Sequence, residues 1–178
     1  DIKISFDDYH APTNFLLNNV KKYCKEKKLI LQILSKKGDK IEKEYYKKML
    51  NSKFEFVSNK KRGDGYKYVD DSDMVVGIDS TLVYETLSRK KKIGIFAVRE
   101  DYFRNKYFKK FGLEFGWPYK FKKKGFFWTN DNSYLELKRI FDLILNMKQS
   151  KWEHNLSNPS FKKLMLYDTN NTILKNKI

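Results

Sequence analysis

The chain has 178 residues, enough for one α/β domain with a real core and cramped for two, and it carries a formal net charge of +16 from 33 Lys and only 5 Arg against 22 acidic residues. That Lys excess argues against specific nucleic-acid recognition, because base edges are read best by bidentate Arg; clusters such as Lys90-Lys91-Lys92 and Lys122-Lys123-Lys124 suit peripheral contact with an anionic membrane. The single cysteine, Cys24, excludes an internal disulfide and suits a reducing compartment, while no apolar run reaches the ~20 residues of a membrane helix and no signal-peptide core opens the chain.

Ile2–Phe6 alternates apolar and polar residues as a half-buried strand does, and Asp7-Asp8-Tyr9-His10-Ala11-Pro12-Thr13 reads as a turn into a helix over about 13–28. Residues 29–34 form a nearly continuous apolar run, the pattern of a strand covered on both faces of a parallel sheet. A helix over about 39–50, a strand at 54–57, a basic loop at 60–65 and a short helix at 66–71 follow. Met74-Val75-Val76 is the next strand, and Gly77-Ile78-Asp79-Ser80 turns into a helix that leads to the strand 93–96. From Tyr102 to Asn130 the pattern is irregular and aromatic, the mark of a packed surface excursion. A helix over about 131–149 and a weaker one from Pro159 close the chain. The alternation predicts an α/β fold with a doubly wound, mainly parallel sheet and helices on both faces, Rossmann-like, whose ligands sit beyond the carboxyl ends of the strands.

Residues 72–98 carry most of the functional signal. The first peptide N–H groups of the helix that opens near Ser80 have no intrahelical partner, and with the helix dipole they favour an anion such as a diphosphate. Asp79 or Ser80 can cap that end. Leu82, Val83, Thr86 and Leu87 share one face and should pack on the sheet, whereas Thr81, Glu85 and Ser88 fall elsewhere, so Glu85 points away from the core. Its ordinary structural role would be an i,i+4 ion pair with Arg89. His10 and His154 are too few and too separated to indicate a metal site, and no metal is expected.

The run Ser72-Asp73-Met74-Val75-Val76-Gly77, then Asp79-Ser80-Thr81-Leu82-Val83-Tyr84-Glu85-Thr86-Leu87 and Ile93-Gly94-Ile95-Phe96, resembles the C-terminal, donor-binding half of GT-B glycosyltransferases and the related UDP-sugar epimerases. With Phe115-Gly116-Trp117-Pro118 and Phe127-Trp128-Thr129-Asn130 beside it, the chain also looks like bacterial surface-carbohydrate or capsule biosynthesis proteins. The resemblance implies that Glu85 binds ribose hydroxyls, a task suited to a carboxylate because it accepts two hydrogen bonds and donates none. It implies diphosphate binding by the backbone of the turn at Ser80, Thr81 and Leu82, with Asp79 at its start among the substrate-binding residues, base contact largely through main chain by Val57, Ser58 and Asn59, and donor-sugar contact by Arg99, Glu100 and Asp101, with neutralisation of the diphosphate as the alternative role of Arg99. Arg89-Lys90-Lys91-Lys92 departs from the family's Gly-Pro turn, and the first loop lacks its glycines.

The function implied is sugar-nucleotide-dependent glycosyl transfer, with a nucleoside-diphosphate sugar as donor substrate, no separate cofactor, and a carbohydrate or lipid-linked acceptor. Asp7, Asp8 and His10 are the first-loop candidates for a general base. An incomplete catalytic set and a start at Asp1 lead to the expectation that 1–178 is a single donor-nucleotide-binding domain from a longer two-domain protein, with the N-terminal domain as its absent partner. Such a piece should bind nucleotide without turnover, in the cytoplasm or at the cytoplasmic face of the inner membrane. The alternatives are a sugar-nucleotide epimerase of the same fold and a non-enzymatic basic module for nucleic acid or anionic membrane.

Overall fold

A computed structural model describes residues 4–35, 38, 40–58, 64–99, 102–103, 121–162 and 164. Its first element, α1 (Phe6–Lys27), begins where the extended Ser5 (φ −66°, ψ 157°) accepts a hydrogen bond from the Asp8 N–H, and Asp7 and Asp8 place negative charge in the first turn. Phe6 and the expected turn Asp7–Thr13 are therefore helical, which corrects the strand-then-turn reading; residues 1–3 of the expected strand lie outside the described residues. The correction has a cost. Pro12 lies inside the helix, where it cannot donate to the Asp8 carbonyl and crowds it, a penalty of about 3 kcal/mol that burial of its ring only partly offsets.

Two parallel sub-sheets follow. β1 (Gln32–Ser35), α2 (Lys40–Leu50) and β2 (Glu55–Ser58) form one unit, with Gln32 opposite Glu55 and Ser35 opposite Ser58. After α3 (Asp64–Asp71), a second unit runs through β3 (Val75–Gly77), α4 (Thr81–Ser88), β4 (Ile93–Phe96) and β5 (Trp128–Thr129), in the order β3-β4-β5. β4 is central here, and all four of its residues are buried, as the apolar run requires.

Two glycines show how helices cover this second sheet. Val76 sits beside Gly94, and Gly77 beside Ile95, so the two glycines point to opposite faces. A Cβ on Gly77 would land on Val83 of α4, whereas one on Gly94 would meet Ile140 of α5 (Tyr134–Asn146) at 3.3 Å. α4 and α5 therefore cover opposite faces. α1 lies on the α5 side, where the buried Tyr23 hydroxyl donates to Asp142 Oδ1 at 2.7 Å and the Tyr23 and Phe141 rings meet edge to face. Lys138, Tyr23 and Lys27 together hold the Asp142 carboxyl down at about 2.

The single helix expected over 131–149 is two. Met147 (ψ 132°) and Lys148 (ψ 144°) are extended, and the chain restarts as α6 (Gln149–Leu156), followed by α7 (Pro159–Lys162). The break turns Trp152 inward. It is fully buried against Phe126 and Phe127, and its indole N–H donates to the Lys90 carbonyl at 3.0 Å. The aromatic run expected as a surface excursion is core in its described part: Phe127 and Trp128 are buried, and Trp128-Thr129 pairs with β4.

Lys90 occupies the left-handed region at φ 60°, closing the turn from α4 to β4. A non-glycine residue is disfavoured there by roughly 1 kcal/mol. Lys90→Gly should therefore raise the chemical denaturation midpoint by an amount equivalent to about 1 kcal/mol, with the carbonyl contact to Trp152 unchanged.

Candidate functional site at the strand tips

Polar side chains from three elements meet just past the carboxyl ends of β3 and β4. Arg99, three residues beyond β4, donates from Nη1 to both Asp79 oxygens (3.0 and 2.9 Å) and from Nη2 to Thr13 Oγ1 on α1 at 2.9 Å. Its guanidinium carbon stands 4.7 Å from the centre of the Tyr9 ring, and Nε has no hydrogen-bond partner among the described residues. With the Arg99 side chain only 13% exposed, this pair is screened less than an ordinary surface ion pair.

Beside it, α4 begins at Ser80, whose backbone is extended (φ −74°, ψ 144°) and whose hydroxyl makes no capping bond. No acidic residue stands in the first turn, so the positive end of the helix is not neutralised by its own side chains. Ser80 and Thr81 are exposed, and Leu82 is half-buried. Asp79 is not the cap, because its carboxylate is held by Arg99.

The α1 residues Asp8 and His10 also reach this region. Asp8 accepts from the Tyr102 hydroxyl at 3.0 Å, and the half-buried His10 ring packs 4.2 Å from Phe6 and 5.6 Å from Tyr45 between ring centres. Burial first and the Arg99 charge second lower the His10 pKa below its usual value, with Asp7 opposing. A histidine whose folded pKa is depressed gives stability that is fully present above its unfolded pKa of about 6.5 and is lost as pH falls toward the folded value. Denaturation midpoints measured between about pH 7 and pH 5 should fall less steeply in His10→Gln than in the parent.

Glu85 lies one turn further along α4, half-buried, and accepts from the Tyr66 hydroxyl of α3 at 2.9 Å. The spacing that places it there repeats: Arg89 pairs with Asp70 and its guanidinium carbon lies 5.1 Å from the Tyr66 ring centre. Residues 66 and 70 thus run alongside 85 and 89, one helical turn apart in each helix. Val57 and Ser58 end β2 on the other sub-sheet. There Gly38, at φ 67°, comes so close that a Cβ on it would strike the Ser58 hydroxyl. Asn59, Glu100 and Asp101 lie outside the described residues.

The structure thus gathers Asp79, Ser80, Thr81, Arg99, Asp8 and His10 at one end of the second sheet, with Glu85 lower on the outer helices and Val57 and Ser58 at the tip of the first. Thr13 and Tyr9, which hold the Arg99 head, were not singled out by sequence; neither was Tyr66. The matched 66/70 and 85/89 spacings were the available signal for Tyr66, and Thr13 had none. Among the described residues no group of three or more His, Cys, Asp or Glu side chains gathers to hold a metal ion, and no helix is long and apolar enough to cross a membrane.

Fold and site together define an α/β protein with short parallel sheets and a polar cluster at the strand tips. A family model described as "putative O-antigen biosynthesis protein" matches residues 1–178, so the chain belongs to that family, whose name ties it to surface-carbohydrate biosynthesis. No curated protein and no solved structure matches the chain.

Proposed function

We propose that this chain is the donor-binding unit of a sugar-nucleotide-dependent glycosyltransferase of O-antigen assembly, built on a doubly wound sheet like the C-terminal half of GT-B enzymes. The observation that carries the reading is the start of α4 at Ser80, which has no side-chain capping bond, beside the Arg99 guanidinium, whose charge Asp79 balances in the absence of ligand, both past adjacent parallel strands. Glycosyl transfer expels a nucleoside diphosphate. Fixed N–H groups and a cation aimed at the leaving oxygens stabilise the charge that grows as the glycosidic bond breaks.

The remaining roles follow from placement. Glu85 takes the ribose hydroxyls, giving up or sharing its bond from Tyr66, while Val57 and Ser58 present backbone to the base from the neighbouring sheet. Glu100 and Asp101 are kept as donor-sugar contacts on sequence grounds, as Asn59 is for the base. His10, whose surroundings favour the neutral imidazole, has the protonation state of a general base at pH 7, and Asp8 and Asp7 flank it on α1. The acceptor is a carbohydrate or lipid-linked saccharide presented at the cytoplasmic face of the inner membrane. Lysine clusters supply the membrane contact, and a second domain closes over the donor.

A thermal-shift series with UDP, GDP, CDP, dTDP and CMP tests the reading. One diphosphate at 100 times its dissociation constant should stabilise the chain by about 2.7 kcal/mol, and Glu85→Gln should weaken that ligand about tenfold through lost charge-assisted bonds. A chain indifferent to all five nucleotides would refute the donor-site assignment.

A further inference from the structure

Large apolar side chains that stand in solvent are not spread evenly over the molecule. Ile41 on α2 is 82% exposed and Leu135 on α5 is 79% exposed, and Phe15 on α1 and Leu143 on α5 are exposed with them. These three helices form one layer: Tyr45 of α2 donates to Asn14 of α1 at 2.6 Å, and Tyr23 of α1 donates to Asp142 of α5. On α3 and α4, which lie on the other side, the only large hydrophobic side chain exposed among the described residues is Tyr66, and its hydroxyl is bonded to Glu85. One exposed apolar side chain is ordinary, but four on a single layer mark a surface that meets something.

The same layer carries lysine. α1 and α2 hold eight Lys and no Arg against five acids. Glu26 accepts from the Tyr134 hydroxyl of α5 and Glu42 from the Ser35 hydroxyl of β1, so these carboxylates turn into the seams between elements. Lys22, Lys25, Lys40 and Lys48 are exposed and make no ion pair among the described residues. On α1, Asn18, Lys22 and Lys25 recur at helical spacing opposite the buried Leu16, Val20 and Tyr23; on α2, Ile41 and Lys48 stand two turns apart on one stripe. The Lys22 ammonium lies 4.0 Å from the centre of the Tyr134 ring, next to Leu135, which makes the charged and apolar groups one surface.

We propose that the outer side of the α1–α2–α5 layer docks on an anionic lipid bilayer, with Ile41 and Leu135 entering the headgroup region and Lys22, Lys25, Lys40 and Lys48 meeting lipid phosphates. Lysine suits this partner because a bilayer offers point charges at no fixed geometry, and apolar groups set among lysines are what an interfacial surface needs. A nucleic acid would meet the same charge, but Ile41 and Leu135 would then face phosphates, and α1 and α2 offer no forked guanidinium to read a base edge. Docking also sets the reach of the candidate site. α1 holds Arg99 through Thr13 and carries Lys25 twelve residues on, about 18 Å along the helix, so the strand tips stay within one helix length of the headgroups. The inference rests on the membrane-borne acceptor proposed above and fixes which side of the chain meets the bilayer.

Vesicle co-sedimentation of the full chain without nucleotide tests it. Binding to phosphatidylcholine vesicles that contain phosphatidylglycerol should exceed binding to pure phosphatidylcholine by about a hundredfold or more, since each lysine near an anionic surface adds about fivefold. Lys25→Glu and Ile41→Ser should each weaken that binding about tenfold, whereas Lys67→Glu, an equal charge change on α3, should alter it by less than about twofold. All three positions are exposed, so the variants should keep the parent Tm, and the nucleotide thermal shift measured on each separates a failure of docking from a failure of the donor site. Equal losses in Lys25→Glu and Lys67→Glu would reduce the effect to net charge, and undiminished binding by Ile41→Ser would show that this side chain does not enter the bilayer; either result overturns the proposal. Indifference to the anionic vesicles overturns it too, and binding of a single-stranded oligonucleotide in their place would assign the lysines to nucleic acid.

Discussion

Trp152→Ala lowers the stability of the chain by about 3–5 kcal/mol, the cost of removing a fully buried indole and leaving a cavity. Trp152 has no solvent exposure, its ring meets Phe126 at 5.6 Å and Phe127 at 5.5 Å, and those two residues lead directly into β5. Its N–H also satisfies the carbonyl of Lys90, a residue already in the left-handed region, so truncation removes a bond from a turn with little to spare. Single domains are stable by only about 5–15 kcal/mol, and for this size each kcal/mol moves Tm by about 2–4 °C. A Tm drop on the order of 10 °C in calorimetry is expected, and Trp152→Phe, which keeps most of the ring volume but not the N–H, should lose about half as much. Equal, small losses in both variants would show that α6 adds little to the core.

How far the sequence discloses this molecule depends on whether a segment's signal is local. β4 was readable because Ile93-Gly94-Ile95-Phe96 is apolar without interruption, and α4 because Val83, Thr86 and Leu87 recur at helical spacing and are indeed buried. Both signals survive because burial on a sheet is what those patterns encode. The ends of α1 and α5 were not readable in the same way. At Ser5-Phe6-Asp7-Asp8 a good N-cap with two following acids competes with a strand-like alternation and with Pro12, and nothing local decides between them. Met147-Lys148 carries no Gly or Pro to announce a break; the helix stops there because Trp152 is needed under Phe126 and Phe127, a long-range demand. The parallel pairing of Trp128-Thr129 was likewise hidden, two residues being too short to show a period.

The site divides along the same line. Ser80 and Thr81 at a helix start were legible because the strand-turn-helix pattern is itself local. Arg99 was legible as one of three candidates past β4 and as a possible partner of the diphosphate, whereas its grip on Asp79 and Thr13 was not, since those partners lie 20 and 86 positions away in the chain. That grip also changes the reading of Asp79. Rather than capping α4, its carboxylate balances the charge that the proposed diphosphate would otherwise meet.

Arg99 and Asp79 should therefore respond in opposite senses. If the guanidinium takes the diphosphate, Arg99→Met removes charge-assisted bonds of about 1.5–3 kcal/mol, and nucleoside-diphosphate affinity should fall on the order of 10- to 100-fold in calorimetric titration. Asp79→Asn removes the competing carboxylate, frees Nη1 and leaves the Thr13 contact in place, so affinity should hold or rise by a few-fold while the apo chain loses a little stability. The salt dependence separates this from simple charge counting: a single partly buried cation at a fixed site gives a shallow decline with ionic strength, whereas diffuse attraction by the many lysines gives a steep one. A parallel loss of affinity in both variants would mean that the pair serves only to tie α1 to the strand tips, and the diphosphate would have to be sought elsewhere on the sheet.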